Sequence, residues 1–345
     1  MNLLSESSAS SPSATTSGFK ESSANRTIVL ACVAGIPESH ENLKIIVDKL
    51  MINDFFHPFK IVSDFKLINM MNGLQSGSST YPCPYGKCKK PCKTSGWVKG
   101  EDRTVHGNTL DNENYKVNGK EIRNNCKFYF NVEKEPLVKP NSDEKIVDLY
   151  PPPPLHLIRL GALNKVYGEL SEKIDLNEFE QSIGIIKSGY HSGVFEGNEC
   201  AKILKNFDKL ERIVMDFDKE LEPYLKVIWF TKLLDEQVNK SEYEEEVHEV
   251  IEAFSDAYQI LTEKFNVSVT NKVHVIIDHL SDYLGSNKAT LRKTTDQTIE
   301  CTHSKLDQYL KERNYFRKNL NGKAFGERLL KGILAWNSYS IGNLQ

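Results

Sequence analysis

The stretch that most constrains this chain is residues 63–92, SDFKLINMMNGLQSGSSTYPCPYGKCKKPC. An apolar run (Phe59, Ile61, Val62) ends at Asp64. A helical pattern (Phe65, Leu67, Ile68, Met71) follows, then a Gly/Ser turn and a cysteine cluster. The order predicts a strand that ends in a carboxylate beside sulfur donors. A second segment, 271–313, carries His274, His279 and Glu300 on helix-like periodicity. Together they offer a Cys/His structural metal site and two acidic residues, the parts of a metal-dependent phosphoryl-transfer enzyme.

Each part also has a plainer reading. An aspartate at a strand-to-helix junction is commonly an N-cap. Cys83, Cys88 and Cys92 sit among Pro82, Pro84 and Pro91 in a C-x4-C spacing looser than the usual zinc knuckle, and free thiols fit that spacing as well. His274 and His279 are five residues apart, so on an ideal helix they diverge by about 140° and chelate together only if the helix ends or bends between them. With two cysteines they would close a tetrahedral zinc site; otherwise they are two unrelated half-buried histidines. Glu300 shares a face with His303 and Asp307 and reads as a surface glutamate or as a hard-oxygen ligand. Beyond it, Lys311, Arg313, Arg317, Lys318, Lys323, Arg328 and Lys331 with Tyr315, Phe316 and Trp336 suit phosphate contacts or an ordinary basic amphipathic helix.

The 345 residues allow two domains, and a net charge of −3 argues against a chain-wide polyanion binder, so a nucleic-acid surface must be a local patch. Seven irregularly spaced cysteines do not form a disulfide framework, and MNLLSESSAS lacks a signal-peptide pattern; a reducing, intracellular compartment is expected. The early apolar run is too short to span a bilayer, so no membrane partner is expected.

In chain order, 1–26 is a Ser-rich lead-in expected to be disordered. Within 27–92, Thr27–Gly35 predicts a buried strand, Ser39–Met51 a helix capped by Ser39 with Leu43, Ile46, Val47 and Leu50 on one face, and 59–63 a second strand. Residues 93–154 lose periodicity and end in Pro151–Pro154, which reads as a stiff polyproline spacer. The remainder, 155–270 and 271–345, is helical, with clear periodicity over Leu155–Leu170, Asn198–Phe217 and Ser241–Phe265. Glu242–Glu246 is expected to be a solvated face. GYHSGVFEGNEC (189–200) contains no nucleophile elbow and is expected to be a turn in which Asn198 caps a helix. The fold class expected is α/β plus α.

These residues resemble the Transib-type cut-and-paste transposases and the related catalytic subunit of the V(D)J recombinase. In that family an aspartate with a nearby lysine (here Asp64 and Lys66) precedes a Gly-Leu and Ser-Gly-Ser turn (73–78) and a zinc-binding cysteine, and the interval 83 − 64 = 19 agrees. VHVIIDHLSDYL resembles the family's zinc-binding histidine segment, and Glu300, at 300 − 279 = 21, falls where the last catalytic carboxylate is expected. ACVAGIPESHENL and LHLIRLGALNKVYGEL are similar to further family segments, so the likeness runs over roughly 27–335.

The resemblance implies an incomplete RNase H-like core with a large helical insertion (155–270) and a helical C-terminal zinc-binding region (271–345). Asp64 and Glu300 would be the second and third catalytic carboxylates, holding Mg²⁺ or Mn²⁺. Cys83, Cys88, His274 and His279 would hold structural Zn²⁺, although the family's second cysteine is expected near Gly86. DNA would be the partner, the nucleus the compartment, and a homodimer the assembly expected of such transposases. The first carboxylate belongs well upstream of Asp64, and no aspartate precedes Asp48. The chain therefore reads as the carboxyl-terminal part of a transposase, cleavage-incompetent alone; the alternative is a non-enzymatic helical interaction or DNA-binding protein domesticated from a transposable element.

Overall fold

The computed structural model describes residues 2–5, 37–55, 59–75, 77–91, 96–118, 125–140, 143–186, 195–294, 305–306, 308–312 and 323–342. The expected strand Thr27–Gly35, Cys92, residues 189–194 of the 189–200 segment and Glu300 lie outside them. The chain divides into two compact units, one of Met1–Ile61 with Asp296–Gln345 and one of Val62–Thr295.

In the first unit, Ser39 caps helix α1 (His40–Lys49) as expected, its hydroxyl accepting from the Asn42 N–H at 3.2 Å. Leu43, Ile46, Val47 and Leu50 form its less exposed face. Strand β1 (Asn2–Ser5) lies within the lead-in whose composition predicted disorder, and it pairs with β2 (Phe59–Val62) in the one sheet found among the described residues. Near the C-terminus, Leu310, Leu329 and Ile333 bury one another, flanked by Leu306 and Tyr309.

The second unit is built of helices. Asp64, two residues past the end of β2, caps α2 (Phe65–Met71), its carboxylate accepting from the Leu67 N–H at 2.7 Å. Helix α3 (Val105–Asn118) occupies part of the stretch expected to be irregular. A short helix, α4 (Ile146–Leu149), leads to Pro151–Pro154, which are buried and open the next helix instead of forming an exposed spacer. That helix begins with π-helical turns (Leu155–Leu163) and continues as α5 (Asn164–Ser171).

After α6 (Asn177–Ser182), the pattern over Asn198–Phe217 resolves into α7 (Gly197–Lys205) and α8 (Phe207–Phe217), broken at Asn206. Glu196 occupies the N-cap position of α7 without a side-chain bond, so Asn198 is a first-turn residue and not the expected cap. Helices α9 (Glu222–Val238) and α10 (Glu246–Phe265) pack along each other. Val247, Ile251, Phe254, Tyr258 and Leu261 recur every three or four residues on the buried face of α10. Each such side chain contributes about 1.5–3 kcal/mol by leaving water. Asn266 ends α10 in the left-handed conformation that its short polar side chain tolerates. Glu242, Glu244, Glu245 and Glu246 are exposed, as expected of a solvated face.

The π-helical turns lie against α9 and against α11 (Asn271–Val275). Arg159 there forms a two-pronged bond to Asp235 of α9 at 2.9 and 2.8 Å. Among the described residues no helix is long and apolar enough to cross a membrane.

Candidate metal centre

Four side chains from two distant segments meet in the interior of the second unit. The donor atoms of Cys83, Cys88, His274 and His279 all lie within 4.8 Å of one another, and all four residues are buried. Nε2 of His279 is 3.3 Å from Cys83 Sγ and 3.8 Å from Cys88 Sγ, across chain separations of 196 and 191 residues. Zinc bonds of about 2.3 Å to sulfur and about 2.0–2.1 Å to nitrogen in a tetrahedron set donors apart by about 3.3–3.8 Å, so the spacing suits that ion. Both ring nitrogens of His274 are buried with no hydrogen bond of good geometry, and Asp278 Oδ2 stands 2.5 Å from Nδ1. A carboxylate behind a histidine is the usual support of a metal ligand.

The histidine spacing that an ideal helix forbids is solved by the backbone. Thr270 caps α11, which passes into a π-helical turn at Ile276–Leu280 before α12 (Ser281–Asn287). Hydrogen bonds from i to i+5 take up an extra residue per turn, and π-bulges of this kind are frequent at functional sites. The turn begins two residues after His274 and contains His279, and both rings reach the centre, with centroids 5.3 Å apart.

The cysteine side is shaped by close backbone approach. A Cβ on Gly86 would lie 2.7 Å from Cys88 Sγ and 2.9 Å from His279 Cε1, so glycine is what leaves the volume for the donors. The second sulfur comes from Cys88, two residues beyond the position the family pattern suggests. Residues 85–89 pair antiparallel with 98–103, through Gly86 with Asp102 and Lys89 with Val98. On this pairing rides Trp97, whose indole stacks on His274 at 3.9 Å and whose N–H donates to the Val269 carbonyl at 3.0 Å. Arg103 is fully buried beneath the loop.

Charge follows the same geometry. The bond from Cys83 and the nearby imidazoles hold the Cys88 thiol well below its usual range against the opposing effect of burial. Burial, with the Cys88 charge beside it, pushes the Cys83 thiol up. The pair thus retains one proton that a metal would displace. Burial works against the His274 imidazolium, but Asp278 and the Cys88 sulfur outweigh it and raise its pKa. A bound ion requires both thiolates and both neutral rings, so protons compete with it. Zinc loaded at neutral pH is expected to leave on acidification, with half released at about pH 5. Metal analysis after dialysis across the acid range checks this; retention at about pH 4 contradicts it.

The structure therefore brings together Cys83, Cys88, His274 and His279. It is the one group of three or more metal-capable side chains found among the described residues, and it could hold a metal such as zinc. The strand expected to run to Asp64 stops at Val62, and Asp64 stands beyond it with its carboxylate engaged as the cap of α2, its plainer reading. Trp97, Arg103, Asp278 and the approach at Gly86 were not foreseen. Asp278, one turn from His274 between the two histidines, is the one that a sequence rule for supporting carboxylates would have found. No protein-family model matches this chain, and no curated protein matches its sequence.

Proposed function

We propose that the chain is a transposase-derived, DNA-binding body of the RNase H-like DDE class, with a structural zinc ion clasping its cysteine loop to its histidine helix. The observation that carries this reading is the convergence of Cys83, Cys88, His274 and His279, the residues that the family resemblance names, from segments 191 and 196 residues apart. In that scheme Asp64, just past β2, would be the second catalytic carboxylate and Glu300 the third. Such enzymes use carboxylates to hold two Mg²⁺ or Mn²⁺ ions that activate the attacking oxygen and stabilise the leaving one. In that scheme strand nicking needs a further carboxylate besides Asp64 and Glu300, whereas DNA binding is expected of this chain as it stands.

The engagement of Asp64 as a helix cap favours a second reading, a helical interaction protein in which DNA chemistry has been lost. Titration of fluorescent duplex DNA with zinc-loaded protein separates the two. The first reading expects binding at about 50 mM salt that weakens at least tenfold by about 200 mM, as phosphate contacts release counterions. Zinc-loaded protein that ignores DNA at low salt would leave the second reading standing.

A further inference from the structure

Arg103 is fully buried, yet its hydrogen-bonding partners are not carboxylates. Nε donates to the carbonyls of Cys83 and Gly86 at 3.0 and 3.2 Å. Nη1 donates to Asn108 Oδ1 at 3.2 Å, and Nη2 to the carbonyls of Phe130 and Tyr81 at 2.7 and 3.3 Å. Burying a guanidinium costs several kcal/mol unless its donors are satisfied, so an arginine is retained in such a place for what its planar fork alone can hold.

Here the fork grips the cysteine loop from inside. Cys83 and Gly86 contribute the carbonyls, Cys83 and Cys88 the sulfurs, and the intervening residues curl around one nitrogen. The same cation ties in α3 through Asn108 and the 126–132 turn through Phe130. Asn131 in that turn accepts the Tyr81 N–H at 2.8 Å and donates to Gln75 Oε1 at 2.7 Å. The loop is thereby fixed from four sides while its sulfurs face the histidines.

We infer that Arg103 is a positioning residue of the metal centre, holding the Cys83–Cys88 loop in its donor-ready curvature. The inference rests on the metal-centre reading and adds to it the residue that preorganises the site. A lysine at this position keeps the charge but reaches few of the five acceptors, so loss in Arg103→Lys isolates the fork from the charge.

The test is Co²⁺ and Zn²⁺ titration of the full metal-free chain, with the cobalt visible bands as the signature of the donor set. The wild type is expected to take one ion with an intense tetrahedral spectrum. Folded Arg103→Lys is expected to bind about 10- to 100-fold more weakly with altered cobalt bands, the range seen when metal ligands lose their supports. Asn108→Ala, which frees one arm and leaves the charge in place, should weaken binding a few-fold. An arginine that merely fills the core would change stability with and without metal alike and leave the spectrum of each bound ion unchanged. Wild-type affinity and spectrum in folded Arg103→Lys overturn the inference. Should that variant fail to fold, unchanged affinity in Asn108→Ala overturns it. A wild-type chain that takes up neither ion overturns the metal centre itself and the inference with it.

Discussion

Replacing His279 by alanine is expected to empty the metal centre and remove much of the stability of the Val62–Thr295 unit. Its Nε2 lies 3.3 and 3.8 Å from the two sulfurs, and among the described residues the only other nitrogen donor of the cluster is His274. The three remaining donors leave the fourth position without a protein ligand, and the two thiols then meet a cavity where the imidazole stood. A metal held a thousandfold above its dissociation constant contributes about 4 kcal/mol to the folded state, so a loss of about that size is anticipated. The measurement is metal analysis with thermal unfolding, each with and without a chelator. Wild-type protein should lose stability on chelation, and His279→Ala should already stand at the chelated level. Full zinc content in the variant would refute the assignment.

Gly73→Ala should be nearly as damaging, although it lies away from the metal. Gly73 follows α2 with φ of +67°, the left-handed conformation that side-chain-bearing residues avoid. A Cβ there would lie 1.9 Å from the Lys134 carbonyl oxygen and 2.5 Å from its carbon. The crowding is backbone against backbone, because the Gly73 carbonyl accepts the N–H groups of Glu133 and Lys134 at 2.8 and 3.0 Å. Neither partner can swing aside as a flexible side chain would. Strain of the left-handed residue and displacement of this turn together should cost about 3 kcal/mol or more, read as a fall in the urea midpoint. Gly77→Ala is the control: its Cβ would meet nothing within 4 Å, and a change within about 0.5 kcal/mol is expected. Equal midpoints for both variants would mean that the turn is not built as described.

The donor residues could be picked out from residue type and spacing, but their meeting could not. A separation of five suggests divergence on a regular helix, and nothing in VHVIIDHLSDYL marks the π-helical turn that reconciles the two rings. The 93–154 stretch misled for a different reason. Helix α3 buries Val105, Asn108 and Asn112, so two of its three buried positions are asparagines and hydrophobic periodicity passes over it. Arg103 is the sharpest case, since no local pattern distinguishes an arginine bound for the interior from one bound for water; its burial follows from carbonyls contributed by residues 81–86 and 130. By contrast the Ser39 cap and the periodicity of α10 were legible because each is written in residues three or four positions apart.

The distance along the chain between the donors has a consequence for how the molecule assembles. A contact that joins residues nearly two hundred positions apart closes a loop whose entropic cost grows only logarithmically with its length, but whose ends must find each other through everything between them. Among the described residues each of the two segments supplies two of the four clustered donors, so the set is complete only when both are in place. The clasp therefore reports on the whole span between Cys83 and His279 at once, in the way that a keystone reports on the arch beneath it.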